Sequence, residues 1–495
     1  MRRIFLLFAL CGLTTWSVGG QKLDPLNAIG EKYARLVLAL GQHDPDYVDA
    51  FYGPGEWKAQ AEKEKKSLDA IATEATQLSD RLQVMRLQQS GMADLPSHEA
   101  TAREGERASP YSIDSGTLTP PGGGAGPTSQ SDAATTKKSD AMDCCAPETK
   151  DGDLVHLRRE YLEKQLYALI FRAKTLLNAG IKGPKNFDAE SRALYDAVAP
   201  TYHDSFFDDI LKRLDTKIPG TGPLWQRYEE WRKPFVIPKE KLDAVFQLAI
   251  KECRARTLAH VALPPNESFT VEYVTNKPWG GYNWYKGNFH SVIQVNTDLP
   301  IYIDRAVDLA AHEGYPAHHV YNSLLEKNLV RDRGWMEFSV YALFSPQSLI
   351  AEGTANFGRE IAFPNKAERM KFEKEVLFPA AGIDATRADE YYAVQDLMKD
   401  LNYAVNEAAR RLINGEIDEK AAAEWLQKYA VMEPPRAEKR VKFIERYRSY
   451  VINYNLGEDM VKKYIEKRAG NDPEKKWSEF GKLLASPRLP SGLTQ

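Results

Sequence analysis

The sequence predicts a mainly α protein, a large multi-helical, two-lobed body carrying one small β-sheet. Three observations predict it. Apolar residues recur at helical spacing along most of the chain. Strand-like alternation is confined to the stretch between Ser268 and Asn296. The regular strand–helix alternation of doubly wound and barrel folds is missing. The 495 residues are 43% hydrophobic and 11% aromatic, enough to pack a core of that size.

The N-terminus reads as an export signal over 1–20. Arg2-Arg3 precede an apolar run from Ile4 to Leu13, and the small residues Val18-Gly19-Gly20 follow. Cleavage near Gly20 would leave a periplasmic or secreted protein. The run is too short for a comfortable membrane crossing, so no stable span is expected. A net charge of −3 with no basic tract excludes nucleic acid as an expected partner. Of the four cysteines, Cys11 leaves with the signal, Cys144 and Cys145 are adjacent, and Cys253 sits in a helical stripe. That is no disulfide framework, so stability must come from the core.

Taken in order, Ile29, Tyr33, Leu36, Val37 and Leu40 predict a first helix ending at Gly41. A second is expected from Trp57 toward Leu87. From 88 to 152 the chain is Ser, Thr, Gly, Pro and charge, with Pro120-Pro121-Gly122-Gly123-Gly124 at its centre, and reads as a disordered insertion. Helical spacing resumes through Leu162, Leu166, Leu169, Ile170, Ala173 and Leu177. After Pro238 it returns in Leu242, Val245, Phe246, Ala249, Ile250 and Cys253. Residues 21–87 and 153–262 are thus expected to form an N-terminal helical lobe, and 263–495 a catalytic lobe.

The small sheet is expected from strands at 269–274 and 291–296, with Trp279-Gly280-Gly281-Tyr282 turning between them. The second strand is a candidate to pair with a substrate backbone, and His290 is read as its first residue rather than a ligand. Beyond it the chain is helical, with stops expected at Gly415 and Pro434-Pro435.

The chemistry concentrates in Ala311-His312-Glu313-Gly314-Tyr315-Pro316-Ala317-His318-His319, which holds three of the nine histidines. A zinc helix often carries two histidines four apart, with a glutamate after the first that reaches the water the metal activates. Here Pro316 stands at the fourth position. On a regular helix His319 would lie about 10 Å beyond His312, too far for one ion. Proline resolves the conflict, because it lacks an N–H and clashes with the preceding turn. If Tyr315 to Ala317 loop out by two residues, His318 falls into place and His319 points aside. His319 remains the alternative ligand. Glu352, in the small and apolar run Leu349-Ile350-Ala351-Glu352-Gly353-Thr354-Ala355, needs a partner for its charge and is the candidate third ligand.

At these residues the chain resembles a bacterial family known as domain of unknown function 885, similar in look to helical zinc peptidases. The pattern His-Glu-x-x-Pro-Gly-His is matched by His312 to His318, with Ala317 in place of its glycine. A downstream Glu-Gly-x-Ala is matched by Glu352-Gly353-Thr354-Ala355. Arg448, Tyr454 and Gly457 resemble a closing Tyr-x-x-Gly segment that follows an arginine. The likeness covers most of the chain outside the insertion. If the loop needs a positive φ at Ala317, it would be strained by about 1 kcal/mol.

The resemblance implies a zinc-dependent peptidase acting on a peptide substrate. Its ligands would be His312, His318 and Glu352, with Glu313 as general base. Asp308, one turn before His312, is expected to orient that imidazole. Tyr454 is the candidate oxyanion donor, and Arg446 and Arg448 the candidates for a substrate carboxylate. Two other readings stay open: a metal-free helical binding protein, and a zinc hydrolase of another amide or ester. The retained Glu313 argues against the first, since binding alone needs no base.

Overall fold

A computed structural model describes residues 24–89, 151–179, 183–277 and 279–494. The expected signal, the Cys144-Cys145 pair and all but the ends of the expected insertion lie outside these residues. Contacts divide the chain into two units, Met1–Asp80 with Cys144–Gln495, and Arg81–Asp143. The second is described only to Gln89, through the last turns of the Leu68–Gln89 helix. The first is a mainly α, multi-helical body with a small sheet beside the histidine helix. Among the described residues no helix is long and apolar enough to cross a membrane.

The first helix, Pro25–Leu40, starts where the Asp24 side chain accepts the Leu26 N–H and proline occupies the first turn. Its buried stripe is the predicted one, Ile29, Tyr33, Leu36, Val37 and Leu40. The helix expected from Trp57 to Leu87 is two, Gly55–Glu64 and Leu68–Gln89, because Lys65 turns left-handed at φ 44°. Helix Leu242–Leu258 buries Leu242, Val245, Phe246, Ala249 and Cys253, and burial pushes the Cys253 thiol up to about 12. Gly415 ends a helix at φ 78°. Pro434-Pro435 instead opens the Pro434–Tyr447 helix, where a missing N–H costs nothing.

Two sheets frame the centre. β1 (Val48–Phe51) pairs antiparallel with β5 (Val340–Ala342), joining the N-terminal segment to the residues just before the Pro346–Ala362 helix. β2 (Ser268–Val274), β3 (Gly281–Tyr285) and β4 (His290–Asn296) form the second sheet in the order β2-β4-β3. β3 was missed: Gly281-Tyr282 read as turn, yet they begin a strand antiparallel to β4. Because β4 is central, with β2 parallel on one side and β3 on the other, neither of its edges is open to a substrate backbone. On β4, Ser291, Ile293 and Val295 alternate to the buried side.

Two long-range ties hold the helices around this sheet. Arg158 of the Asp151–Ala179 helix grips both oxygens of Glu337, at 2.5 and 3.0 Å, with both side chains fully buried. Helices Pro346–Ala362 and Ile452–Ala469 meet backbone to backbone, so that a Cβ on Gly353 would lie 2.5 Å from the Gly457 carbonyl. Glycine is required there because only it permits that approach.

Candidate metal centre

The histidine helix is interrupted as proline demands. Helix Asp304–Leu309 widens into a π-helical turn at Ala310–Gly314, breaks across Tyr315–Ala317 and resumes at His318–Leu325. The Tyr315 N–H bonds Ala310 O, and the Ala317 N–H bonds Ala311 O. The extra residues carry His318 back to face His312, with rings 4.7 Å apart and nearly perpendicular. Ala317 sits at φ −102°, so the turn asks for no left-handed residue and the expected strain is absent.

Glu352 closes the group from the Pro346–Ala362 helix. Its Oε2 lies 3.4 Å from His312 Nε2 and 3.8 Å from His318 Nε2. Tetrahedral zinc with bonds of about 2.1 Å holds its ligand atoms about 3.4 Å apart. The Oε2 atom is buried and has no hydrogen-bond partner among the described residues. Its sister Oε1 accepts the Tyr450 hydroxyl at 2.7 Å. A buried carboxylate oxygen left bare between two imidazole nitrogens fits a cation, and the N, N, O donor set fits zinc.

The charges agree. Burial alone would raise Glu352, but the adjacent imidazoles of His312 and His318 hold it well below the usual carboxylate range. Burial opposes a charged His312, yet Glu313, Glu352 and Asp308 together lift it to about 9.

The orienting partner of His312 is Asn356. His312 Nδ1 lies 2.9 Å from Asn356 Oδ1, and Asn356 Nδ2 donates to Tyr454 O at 2.8 Å. With the amide nitrogen committed to a carbonyl, Oδ1 must accept, so Nδ1 carries a proton and Nε2 is the ring nitrogen left to face Glu352 and to serve a metal. This corrects the expectation for Asp308, which pairs with Arg305 and, at 3.3 Å, with Arg359. Burial would raise Asp308, but those arginines hold it at about 2.

Glu313 is buried beside the ligands, and it, His312 and His318 each bring one ligand atom within 4.8 Å of the others. Burial raises its pKa, against the pull of His312 and His318. Gly281 makes room for it, since a Cβ there would meet Glu313 Oε1 at 2.7 Å. Asp49 of β1, unforeseen from the sequence, adds a carboxyl bonded by the Tyr282 hydroxyl. Burial raises it to about 6 despite that bond and the charge of His318.

Tyr450 and Tyr454 stand together, rings 5.7 Å apart. Tyr450, one helical turn earlier, is the one that holds Glu352. The Tyr454 hydroxyl makes no hydrogen bond among the described residues. Burial and the charges of Glu352 and Glu313 hold that phenol well above its ordinary pKa, so it stays protonated.

The other sequence candidates are committed elsewhere. Arg448 is buried at φ 53° and donates to Glu190 at 2.7 Å and to Pro184 O at 2.5 Å. Arg446 is exposed and grips Asp46 at 2.7 and 2.6 Å. Neither offers a free guanidinium to a substrate. His319 is fully buried, with Nε2 2.9 Å from Glu267 and Nδ1 2.8 Å from Ser291 Oγ. Glu267 can only accept, so Nε2 carries the proton and Nδ1 accepts from the serine, leaving no lone pair for a metal. Glu267 also receives the Tyr315 hydroxyl at 2.5 Å and Arg254 at 2.6 Å, pinning the proline loop to the start of β2.

No protein-family model matches this chain, and no curated protein matches it. Among solved structures it is similar to a protein from Colwellia psychrerythraea named provisionally as a lipoprotein. That likeness covers 69% of this chain and 60% of the other, at 16% identity and a TM-score of 0.46. A structure named BsuCP is similar over 93% of this chain and 88% of its own, at 12% identity and TM-score 0.44. One named CHT is similar over 93% and 90%, at 12% identity and TM-score 0.39. At this distance the function has to be argued from the site itself.

Proposed function

We propose that this chain is an exported zinc-dependent peptidase. One observation carries the reading: the bare, buried Oε2 of Glu352 lies 3.4 and 3.8 Å from Nε2 of His312 and His318. These three residues would hold the ion, and three protein donors are what a catalytic zinc keeps. A zinc ion supplies Lewis acidity, drawing the pKa of water toward neutrality and polarising a carbonyl oxygen.

The remaining steps belong to the chain. Glu313, its pKa raised by burial, takes the proton of the attacking water and passes it to the leaving amine. Tyr454, protonated and unbonded, donates to the oxyanion as the carbonyl becomes tetrahedral. Asn356 and Tyr450 keep His312 and Glu352 in their required orientations. The peptide substrate follows from the resemblance of the His312–His318 and Glu352–Ala355 motifs, and export from the 1–20 segment.

A peptide-library digest with and without chelator tests the reading. Cleavage that zinc restores after chelation supports it. Cleavage of esters or other amides alone would move the protein to another class of zinc hydrolase. Glu313→Gln with full zinc and full activity would overturn the mechanism.

A further inference from the structure

Among the described residues Arg440 is a cation without an anion. It sits half-buried on the Pro434–Tyr447 helix, over the Phe443 ring at 5.1 Å. Among the described residues its guanidinium makes no ion pair and no hydrogen bond. Its charged neighbours are Arg436 and Arg305, which add like charge. Arg305 is already committed to Asp308, while the buried Nε of Arg436 stands 3.8 Å from Glu433 Oε1 and makes no hydrogen bond among the described residues. Burial, with Arg436 and Arg305, holds Arg440 below the ordinary guanidinium pKa despite the nearby Tyr454 phenol. Keeping a partly desolvated charge near two like charges costs stability unless something compensates it.

Its position connects it to the candidate centre. Arg440, Phe443 and Tyr447 are spaced three and seven residues apart, along one face of the helix. The Phe443 and Tyr447 rings lie 4.7 Å apart, and Tyr447 lies 6.2 Å from Tyr450, which holds Glu352. Tyr454 feels the charges of Glu352, Arg440 and Glu313 together, and Arg305 acts on both Glu313 and Arg440.

We propose that Arg440 receives a carboxylate of the substrate beside Tyr454, making the site selective for peptides with an anionic group there. The proposal rests on the peptidase reading for its purpose, but the anion site itself is separable from catalysis. The carboxylate is either the chain terminus or an acidic side chain. An arginine fork suits both, because it bonds two carboxylate oxygens at once. Arg446 and Arg448, the arginines singled out by sequence, are already taken by Asp46 and Glu190.

The test is calorimetric titration of zinc-loaded Glu313→Gln protein, which retains the site without turnover. The probes are acetyl-trialanine acid, its C-terminal amide, acetyl-dialanyl-aspartyl amide and the asparaginyl amide. A carboxylate should improve affinity by about tenfold or more over its amide partner. A preference for the free acid assigns the chain terminus, and a preference for aspartyl over asparaginyl assigns the side chain. Arg440→Gln should erase the preference without changing affinity for the amides. Arg440→Lys should keep part of it and serves if the glutamine variant fails to fold. Equal affinity for acids and amides, no binding of any probe at millimolar concentration, or a preference surviving Arg440→Gln overturns the proposal. Retained carboxylate preference in a wild-type protein that cleaves no peptide would overturn the peptidase reading alone.

Discussion

Tyr450 donates its hydroxyl to Oε1 of Glu352 at 2.7 Å and so leaves Oε2 facing His312 and His318. A carboxylate free to rotate would present either oxygen, and the bond fixes which. Tyr450→Phe is therefore expected to weaken zinc binding by about 10- to 100-fold, the usual loss when a ligand's support is removed. Competition with a chelating dye measures it, and an unchanged affinity would show that the bond does not hold the ligand.

Asn356 and Asp308 separate two accounts of His312. If Asn356 sets the tautomer, Asn356→Leu should lower zinc affinity by about tenfold or more, since the imidazole can then turn or move its proton. Asp308→Asn should instead lower the melting temperature, because it leaves Arg359 and Arg305 without their shared carboxylate. Zinc titration and thermal melts of both variants distinguish the two.

Gly281 gives a test of the base that leaves the ligands alone. Alanine there would place a Cβ 2.7 Å from Glu313 Oε1 and 2.9 Å from Leu309. The carboxylate has to shift, and a displacement of about 1 Å costs on the order of 100-fold in rate. The expected result is a fall in kcat with zinc content unchanged. An unchanged kcat would mean that Glu313 has no fixed task.

Much of this centre was legible in the sequence, and the reason is local. His312, Glu313, Pro316 and His318 are close in the chain, so the ring geometry of proline determines how they meet. Glu352 was legible because a carboxylate in a small, apolar run needs an explanation. What escaped were long-range partners. Asn356 and Asp308 are both plausible neighbours of His312 until the Pro346–Ala362 helix is docked. Arg446 and Arg448 look available until Asp46 and Glu190 arrive from far earlier in the chain. Tyr450 was hidden by the 3-10 turn at Arg448–Val451, which upsets the helical register ahead of Tyr454. β3 was hidden by Trp279-Gly280-Gly281, a turn signal whose last glycine serves to clear space for Glu313.

Glu267 predicts an acid limb of stability. Burial would raise its pKa, but bonds from His319, Tyr315 and Arg254 bring it from 4.5 to about 2 in the folded protein. A depressed folded value stabilises fully above about pH 4.5, and that contribution is lost as pH falls toward 2. Its size is at most about 3 kcal/mol. Glu267→Gln should lower stability at pH 6 and flatten its dependence between pH 4.5 and 2. Urea unfolding across that range checks it, and parallel slopes for the two proteins would rule out the assignment.

The most direct measurement is the zinc content of purified protein and of three variants, His318→Ala, His319→Ala and Glu352→Ala, each checked for folding by circular dichroism. One zinc per chain is expected in the wild type and in folded His319→Ala, with zinc lost from His318→Ala and Glu352→Ala. A wild type that binds no zinc, or a His318→Ala variant that keeps it while His319→Ala loses it, would contradict the account.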